Sequence, residues 1–576
     1  MLKKIVVISS LIFSVLGMGS SDLVFCADPP PEQTASGLEQ QRKEIEKEEK
    51  LRKRVETEEE EKLELKEPSP AAIPPGPQEK TLVTIIKVTG VTLFKEEQIR
   101  KMISPFENKE LTLLEIQEIV DLITQFYRQN GYVTSRAYLP PQKIQGGVLE
   151  IRVLEGKMGD VEIRGNRYFK TPLLKEKIKL AKGDPFNYNR LRKSLIQINE
   201  HPDRVSHAVL APGKEPEQTD IILEIKDQRP IHVGFAFDNY GSRFIERNRY
   251  SANVSHNNLL GHDDTLGLTF LTTEVDAYKL GSINYLFPVT NDSNIGFFAA
   301  VTDLALVNEF ESAGAKGEST LLGVFLNKIL LVQNNWVLRG NAGFDYKDMK
   351  NSLGGTESSR DELRIAKASL DFDRSDRFGR TLVTGGIDLG IPEVMGGLNK
   401  KDPKASRAGA GGKFVKWTVN ALRLQRMFWE SILLWRNQAQ MSGYALAASE
   451  QIQIGGISNV RGYPPAEHSG DRGYTTTLEW SFPPYGIPKS WEVPFSKTTF
   501  YQGLRTVLFY DLGTVRLKRP GAGEQQDQTL KALGFGFQMN LVEDFSARID
   551  LGYPLGHKTP SDGDHLHSWL RVSKTF

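Results

Sequence analysis

The chain has 576 residues, a formal net charge of +1, 39% hydrophobic residues and a single cysteine. That length exceeds one ordinary domain, and the near-zero charge, with no nucleic-acid-binding motif, sets nucleic acid aside as a partner. The lone cysteine excludes an internal disulfide and a cysteine-rich zinc site.

Residues 1–27 read as a secretory signal peptide. Lys3 and Lys4 give the positive start, and Ile5 to Leu16 the apolar run. Cleavage after Cys26 puts Val24 and Cys26 at the two pocket positions, whereas cleavage after Ala27 would put bulky Phe25 in one. A lipoprotein signal ending at Cys26 meets the same Phe25 where a small residue is wanted. The mature chain is therefore expected to lack cysteine, which excludes a catalytic thiol. No later segment offers roughly 18–20 continuous apolar residues, so no transmembrane helix is expected.

Residues 28–80 form a charged helix and a proline-rich linker. Pro29, Pro30 and Pro31 precede a stretch from Glu39 to Glu67 in which Glu, Lys and Arg dominate. Many opposite charges fall four residues apart, which supports a helix without a core. At ~1.5 Å per residue it would reach roughly 40 Å. Pro68, Pro70, Pro74, Pro75 and Pro77 then make a semi-rigid spacer.

From Thr81 an internal repeat appears, over residues 81–156 and 157–228. Ile86-Lys-Val88-Thr-Gly90-Val-Thr-Leu-Phe94 is echoed by Val161-Glu-Ile163-Arg-Gly165-Asn-Arg-Tyr-Phe169. A short helix follows each copy, near Lys95–Ile103 and Thr171–Leu180, and then a longer amphipathic one. Ile116, Ile119, Val120 and Ile123 share one face in the first copy; Leu191, Leu195 and Ile198 do so in the second. Two strands complete each unit, Gly131–Leu139 with Val148–Leu154 and Val205–Leu210 with Thr219–Ile225. The order β-α-α-β-β, twice, predicts two small α+β domains with helices on one sheet face.

Beyond Pro230 the period becomes two. Ile231, Val233, Phe235 and Phe237 alternate with His232, Gly234, Ala236 and Asp238; Leu533, Phe535, Phe537 and Met539 alternate with Gly534, Gly536, Gln538 and Asn540. Apolar residues on one face and small or polar ones on the other suit lipid outside and a wet lumen inside. About sixteen such segments of ~9–14 residues over residues 229–576 predict a transmembrane antiparallel β-barrel. Closure is compulsory, because an open sheet edge in hydrocarbon strands backbone polar groups.

Catalytic patterns are missing. There is no GxSxG elbow and no HExxH, and none of the nine histidines falls in a metal-ligand spacing, so no catalytic residue, metal or cofactor is expected. Gly409-Ala-Gly411-Gly412-Lys413 departs from a phosphate loop, since Phe414 replaces the Ser/Thr that would hold magnesium; it reads as a loop entering a strand. Asp371, Asp373 and Asp376 lack the glycine of an EF-hand loop. With Arg374, Arg377 and Arg380 nearby they read as a solvated barrel loop.

The informative loop spans about residues 440–471, between the eleventh and twelfth strands. It carries Gly455-Gly456-Ile-Ser-Asn459-Val460-Arg461-Gly462-Tyr463. Further on, Phe509-Tyr510-Asp511-Leu512-Gly513 falls on the thirteenth strand. The chain here resembles the two-partner secretion transporters, the haemolysin secretion/activation proteins of the barrel-assembly superfamily. The resemblance implies that the loop folds into the lumen with Val460, Arg461, Gly462 and Tyr463 at its tip. It also implies that Phe509, Asp511 and Gly513 face the lumen, with Arg461 contacting Asp511. The repeat resembles the paired POTRA domains of that family, the string Gly131 to Gln142 especially, where Pro140 and Pro141 end a strand beside an edge open to β-augmentation. The charged stretch within residues 28–80 stands where family members carry a plug helix.

The expected function is recognition of an unfolded secreted partner in the periplasm and its export through the pore, from a location in the outer membrane with the N-terminal domains in the periplasm. The implied partners are a large exported protein of adhesin or haemolysin type, outer-membrane lipid, and the barrel-assembly machinery for insertion. The insertion signal is the last strand, with Leu570 and Val572 in phase and Lys574 departing from the pattern. The alternatives are an outer-membrane protein insertase of the same superfamily, or a passive porin.

Overall fold

In the computed structural model the described residues are 64–65 and 80–576, apart from 200, 334, 495–497, 522–523, 543 and 557–558. The signal peptide, the proline linker and nearly all of the charged stretch lie outside them. The chain divides into one unit over Glu60–Pro230 and a second whose described part is Ile231–Phe576.

In the first unit, β1 (Glu64–Leu65) runs parallel to a later strand, with Glu64 opposite Val209 and Leu65 opposite Leu210. The helix expected across Glu39–Glu67 is thus replaced by extended backbone at these two residues, which a sheet edge supplies with partners. β2 (Thr81–Val83), β3 (Ile85–Thr89), α1 (Glu96–Ile103), β4 (Lys109–Leu111), α2 (Leu113–Gln129), β5 (Arg136–Tyr138) and β6 (Val148–Leu154) form the first repeat. Its main sheet has the order β3-β6-β5, while β2 pairs with β4. Thr112 and Glu115 close a reciprocal capping box at the start of α2. The helix then buries Ile116, Ile119, Val120, Ile123 and Tyr127 against Leu149 and Ile151 of the sheet. Each such aliphatic side chain contributes about 1.5–3 kcal/mol.

The second repeat comprises β7 (Lys157–Arg164), α3 (Thr171–Glu176), α4 (Tyr188–Asn199), β8 (Arg204–Pro212) and β9 (Gln218–Asp227), with sheet order β1-β8-β9-β7. Two elements are shorter than the sequence suggested. α3 ends at Glu176 instead of Leu180, and the strand expected over Gly131–Leu139 is reduced to β5. Gly131 (φ +88°) breaks the backbone there, and its carbonyl is taken by the Tyr188 amide at the start of α4.

The repeat is physical as well as sequential. A Cβ on Gly90 would lie 2.3 Å from the Val153 carbonyl oxygen, and one on Gly165 2.4 Å from that of Ile225, both at positive φ. Two residues beyond each carbonyl, a carboxylate gathers the amides of the following turn. Glu155 accepts from Thr92 (2.8 Å) and Leu93 (3.1 Å). Asp227 accepts from Arg167 (2.9 Å), Tyr168 (2.8 Å) and Phe169 (3.1 Å).

The second unit is a closed barrel of sixteen antiparallel strands. They begin with β10 (Ile231–Asp238), β11 (Arg249–His256), β12 (Thr265–Thr273), β13 (Tyr278–Thr290) and β14 (Ser293–Ala305). Next come β15 (Lys316–Val332), β16 (Trp336–Leu353), β17 (Thr356–Asp376), β18 (Gly379–Gly390), β19 (Phe414–Arg426) and β20 (Ile432–Ser442). The connection after β20 carries a small hairpin, β21 (Ile452–Ile454) and β22 (His468–Gly470). The wall resumes with β23 (Arg472–Phe482), β24 (Leu504–Arg516), β25 (Asp527–Val542), β26 (Phe545–Leu555) and β27 (His567–Thr575). β10 pairs with β27, Gly234–Asp238 against Thr575–Arg571, which closes the ring.

Alternation sets the two faces. Ile231, Phe235, Leu533, Phe535 and Phe537 are exposed on the outside, where lipid is the solvent. Strand lengths reach 21 residues in β17, beyond the span expected, because its start, Thr356–Arg364, runs past the stretch paired with β18 and pairs with β16. This also overturns the reading of Asp371, Asp373 and Asp376 as a loop. All three lie within β17, and their partners come mostly from neighbouring strands. Asp373 takes both side-chain bonds of Arg380, Asp376 is held by Arg423, and Asp371 accepts from Asn341 and Thr384.

Candidate functional site

The connection between β20 and β23 turns inward, and from Ala445 to Tyr463 every residue is buried or half-buried. β21 and β22 pair as a stalk, Ile452 opposite Gly470 and Ile454 opposite His468. At the tip, Gly455 and Gly456 take φ values of +112° and +88°. The Gly455 amide donates to Asn459 Oδ1 (2.8 Å), and Asn459 Nδ2 donates to the Gln453 carbonyl (2.9 Å). Gly456 donates to the Tyr463 carbonyl, closing the turn.

This closed turn presents Arg461. Its Nε and Nη2 donate to the two oxygens of Asp511 at 2.8 and 2.9 Å, and its backbone amide adds a third bond at 3.2 Å. Its Nη1 reaches Glu479 Oε2 at 2.9 Å and Asp550 Oδ2 at 3.3 Å. The guanidinium carbon lies 3.3 Å from the centroid of the Phe509 ring. Arg548 joins the same acids, 2.7 Å from Glu479 and 3.0 Å from Asp550. Two guanidinium groups thus meet three carboxylates, and Arg461, Asp511, Glu479 and Asp550 are all at most 3% exposed. A fork of donors matched to a carboxylate is the arrangement that tolerates such burial.

Phe509, Asp511 and Gly513 are successive inward positions of β24. Phe509 floors the guanidinium, Asp511 grips it, and Gly513 makes room. A Cβ on Gly513 would sit 2.8 Å from Ile454 Cγ2 and 2.9 Å from Val460 Cγ2. Gly462 is equally confined, 2.8 Å from Ala532 Cβ and 2.8 Å from the Pro554 nitrogen. Val460 and Tyr463 are buried with Ile454, Val515, Leu530 and Ala532 in one apolar cluster. Trp569 of the last strand donates to the Arg461 carbonyl at 2.8 Å. All seven motif residues therefore converge on one contact between loop tip and wall.

The model for the haemolysin secretion/activation protein ShlB/FhaC/HecB matches residues 217–539, and the POTRA domain, ShlB-type, matches residues 82–156. The chain belongs to the haemolysin secretion/activation family. It is 22% identical over 495 residues to the heme/hemopexin transporter protein HuxB of Haemophilus influenzae, covering 83% of this chain and 84% of that protein. It is 23% identical over 510 residues to the outer membrane transporter CdiB of Dickeya dadantii, covering 85% and 86%. Among solved structures, CdiB from Escherichia coli superposes with a TM-score of 0.76 at 20% identity, over 97% of this chain and all of that one. At that identity the superposition speaks for the fold alone.

As a member of this family, the chain is an outer-membrane protein with its POTRA region in the periplasm. Each strand of the barrel reverses the chain, so the connections 239–248, 391–413, 443–471 and 556–566 all depart from the exterior end.

Several residues of the site were not singled out from the sequence. Glu479, Asp550, Arg548 and Trp569 belong to β23, β26 and β27, so the loop tip is tied to four wall strands with β24. Their signal was an ionisable or hydrogen-bonding residue at an inward position: Glu479 is in phase with Thr475, Thr477 and Ser481, all buried. A second anchorage holds the base of the loop. Glu450 accepts from Lys347 and Lys416, each at 2.6 Å, on β16 and β19. Asp471 takes Arg407 (2.8 Å) and the amides of Leu446 and Lys518 (2.7 Å each). Arg407 comes from the 391–413 connection, whose Leu398, Ala405 and Ala410 pack on Leu446 and Ala447.

Proposed function

We infer that this chain is the outer-membrane transporter of a two-partner secretion system. Its POTRA region receives an exported partner protein in the periplasm, and its barrel conducts that partner to the exterior. The observation that carries the reading is the buried tether of Arg461 to Asp511, Glu479 and Asp550 inside a closed barrel that follows two POTRA-like repeats. A passive pore needs neither the repeats nor a loop fixed across its lumen.

In this reading the partner is a large protein of adhesin or haemolysin type that arrives unfolded and pairs with an edge strand of the POTRA-like sheets by main-chain hydrogen bonds. Val460, Arg461, Gly462 and Tyr463, with Phe509, Asp511 and Gly513, hold the loop in place so that the pore is correctly shaped. They perform no covalent chemistry, and export draws on binding and on folding of the partner outside. Outer-membrane lipid surrounds the wall, and the barrel-assembly machinery inserts it.

The test is to delete the gene in its own cell and compare the medium and the outer membrane by mass spectrometry. Loss of one large exported protein from the medium, with other barrel proteins unchanged, is the expected result. A general fall in outer-membrane proteins would instead assign the chain to barrel insertion.

A further inference from the structure

One set of ligating side chains is not used by the tether. In the exterior connection 556–566 and the first residue of β27, Asp562, Asp564 and His567 each offer a ligand atom, and these atoms lie within 4.8 Å of one another. His567 is 3% exposed, its Nε2 is 3.0 Å from Asp562 Oδ2, and its Nδ1 has no hydrogen-bond partner among the described residues. The imidazole stacks on Trp569, with ring centroids 6.3 Å apart, and its bonded nitrogen is aimed into the cluster. Asp562 is almost as deeply buried, whereas Asp564 is 56% exposed at the side chain and leaves one flank open to the exterior. Arg247, from the 239–248 connection, approaches that flank at 3.2 Å from Asp562 and 3.5 Å from Asp564.

We propose that Asp562, Asp564 and His567 form a binding site for a divalent transition-metal ion of the zinc class, and that Arg247 is its intramolecular competitor. Mixed imidazole and carboxylate donors suit zinc, while magnesium and calcium take oxygen donors. Donors about 2.0–2.2 Å from a shared tetrahedral ion stand roughly 3.3–3.6 Å apart. The observed spacings, 3.0 Å between His567 Nε2 and Asp562 Oδ2 and at most 4.8 Å for any pair, bracket that value. Three protein donors leave a fourth position for water. Arg247 and the ion use the same carboxylate oxygens, so uptake of metal frees Arg247. The two exterior connections that flank the β10–β27 closure are thereby uncoupled. The site was invisible in the sequence because Asp562-Gly-Asp564-His-Leu-His567 matches no helical or zinc-finger spacing; the turn into β27 is what gathers it.

The test is titration of the purified full-length protein in detergent with zinc chloride by calorimetry, with magnesium chloride as comparator. Folding of each variant is checked by heat-modifiable gel migration. The unaltered chain is expected to show one saturable zinc site and none for magnesium. D564N and H567Q should each weaken zinc binding by at least about tenfold, and R247Q should tighten it. Because Asp564 and Arg247 are exposed, D564N and R247Q keep the test decisive even if H567Q does not fold. The proposal is overturned if the unaltered chain takes up no zinc saturably, or if D564N binds as tightly as the unaltered chain. Zinc affinity that does not rise in R247Q would overturn the competition.

Discussion

Arg461 and Asp511 are joined by three hydrogen bonds, two from the guanidinium and one from the backbone amide of the same arginine. The amide bond ties the backbone of the loop tip to β24, and the two guanidinium bonds tie its side chain. The contact therefore fixes the path of the loop as well as its charge. Arg461→Ala should leave an inserted barrel in which Asp511 has lost its guanidinium while Arg548 still contacts Glu479 and Asp550. Breaking a buried pair on one side costs about 3–5 kcal/mol. Partner export should fall strongly while heat-modifiable migration persists. Arg461→Lys should not restore export, because an ammonium cannot make the paired bonds. Export at the unaltered level in either variant would remove the tether from the mechanism.

Gly513 supplies a test that leaves every charge in place. Its missing side chain is the space that Ile454 and Val460 occupy. Gly513→Val should force the stalk away from β24 and weaken the tether indirectly. The expected outcome is new protease cleavage in the 443–471 connection of intact cells, with the barrel itself still resistant. A loop as resistant as in the unaltered chain would mean that the stalk tolerates displacement without leaving the lumen.

What could be read from the sequence follows from which forces act locally. Period-two alternation is imposed by the two solvents, lipid and lumen, so Phe235 and Phe537 declare their face without any knowledge of the fold. Arg461 and Asp511 were legible because each lies in a string that resembles a family motif. Glu479 and Asp550 were not, since a single inward carboxylate resembles any polar lumen residue until the register places it beside Arg461. Asp371, Asp373 and Asp376 were misplaced in a loop for a related reason. Clustered acids suggest solvation, and only the cross-strand partners Arg380 and Arg423 make them tenable in a strand.

The base of the loop is expected to act separately from the tip. Glu450 sits between Lys347 and Lys416, each 2.6 Å away, with Asp388 3.2 Å from Lys416. Glu450→Gln removes the carboxylate that lies between two buried lysines and leaves Asp388 beside Lys416, so their repulsion loosens the stem while the Arg461 contacts remain. Single-channel recordings in planar bilayers should show more frequent openings than the unaltered chain. Unchanged conductance and gating would show that the base anchorage plays no part in gating.

In the first POTRA-like repeat, Glu155 provides a pH-dependent contribution whose sign is set by its surroundings. Burial pushes its carboxyl pKa up, but hydrogen bonds from the Thr92 hydroxyl and amide, the Tyr127 hydroxyl and the Leu93 amide together outweigh it. The net shift is below the ordinary glutamate value of 4.5. A carboxylate with a depressed folded pKa stabilises the fold fully above its unfolded value, and that stabilisation is lost as pH falls through the folded one. Amide exchange at Thr92 and Leu93 should therefore be slow near neutrality and lose protection only below the ordinary glutamate range. Glu155→Gln keeps the shape but removes the charge, so protection at neutral pH should drop and its acid dependence should disappear. Protection in Glu155→Gln that still falls with acid would assign the effect to another group. Asp227, which holds the equivalent turn of the second repeat through the amides of Arg167, Tyr168 and Phe169, offers the internal comparison. Its turn should keep its protection in the Glu155 variant, because the two carboxylates act on separate turns.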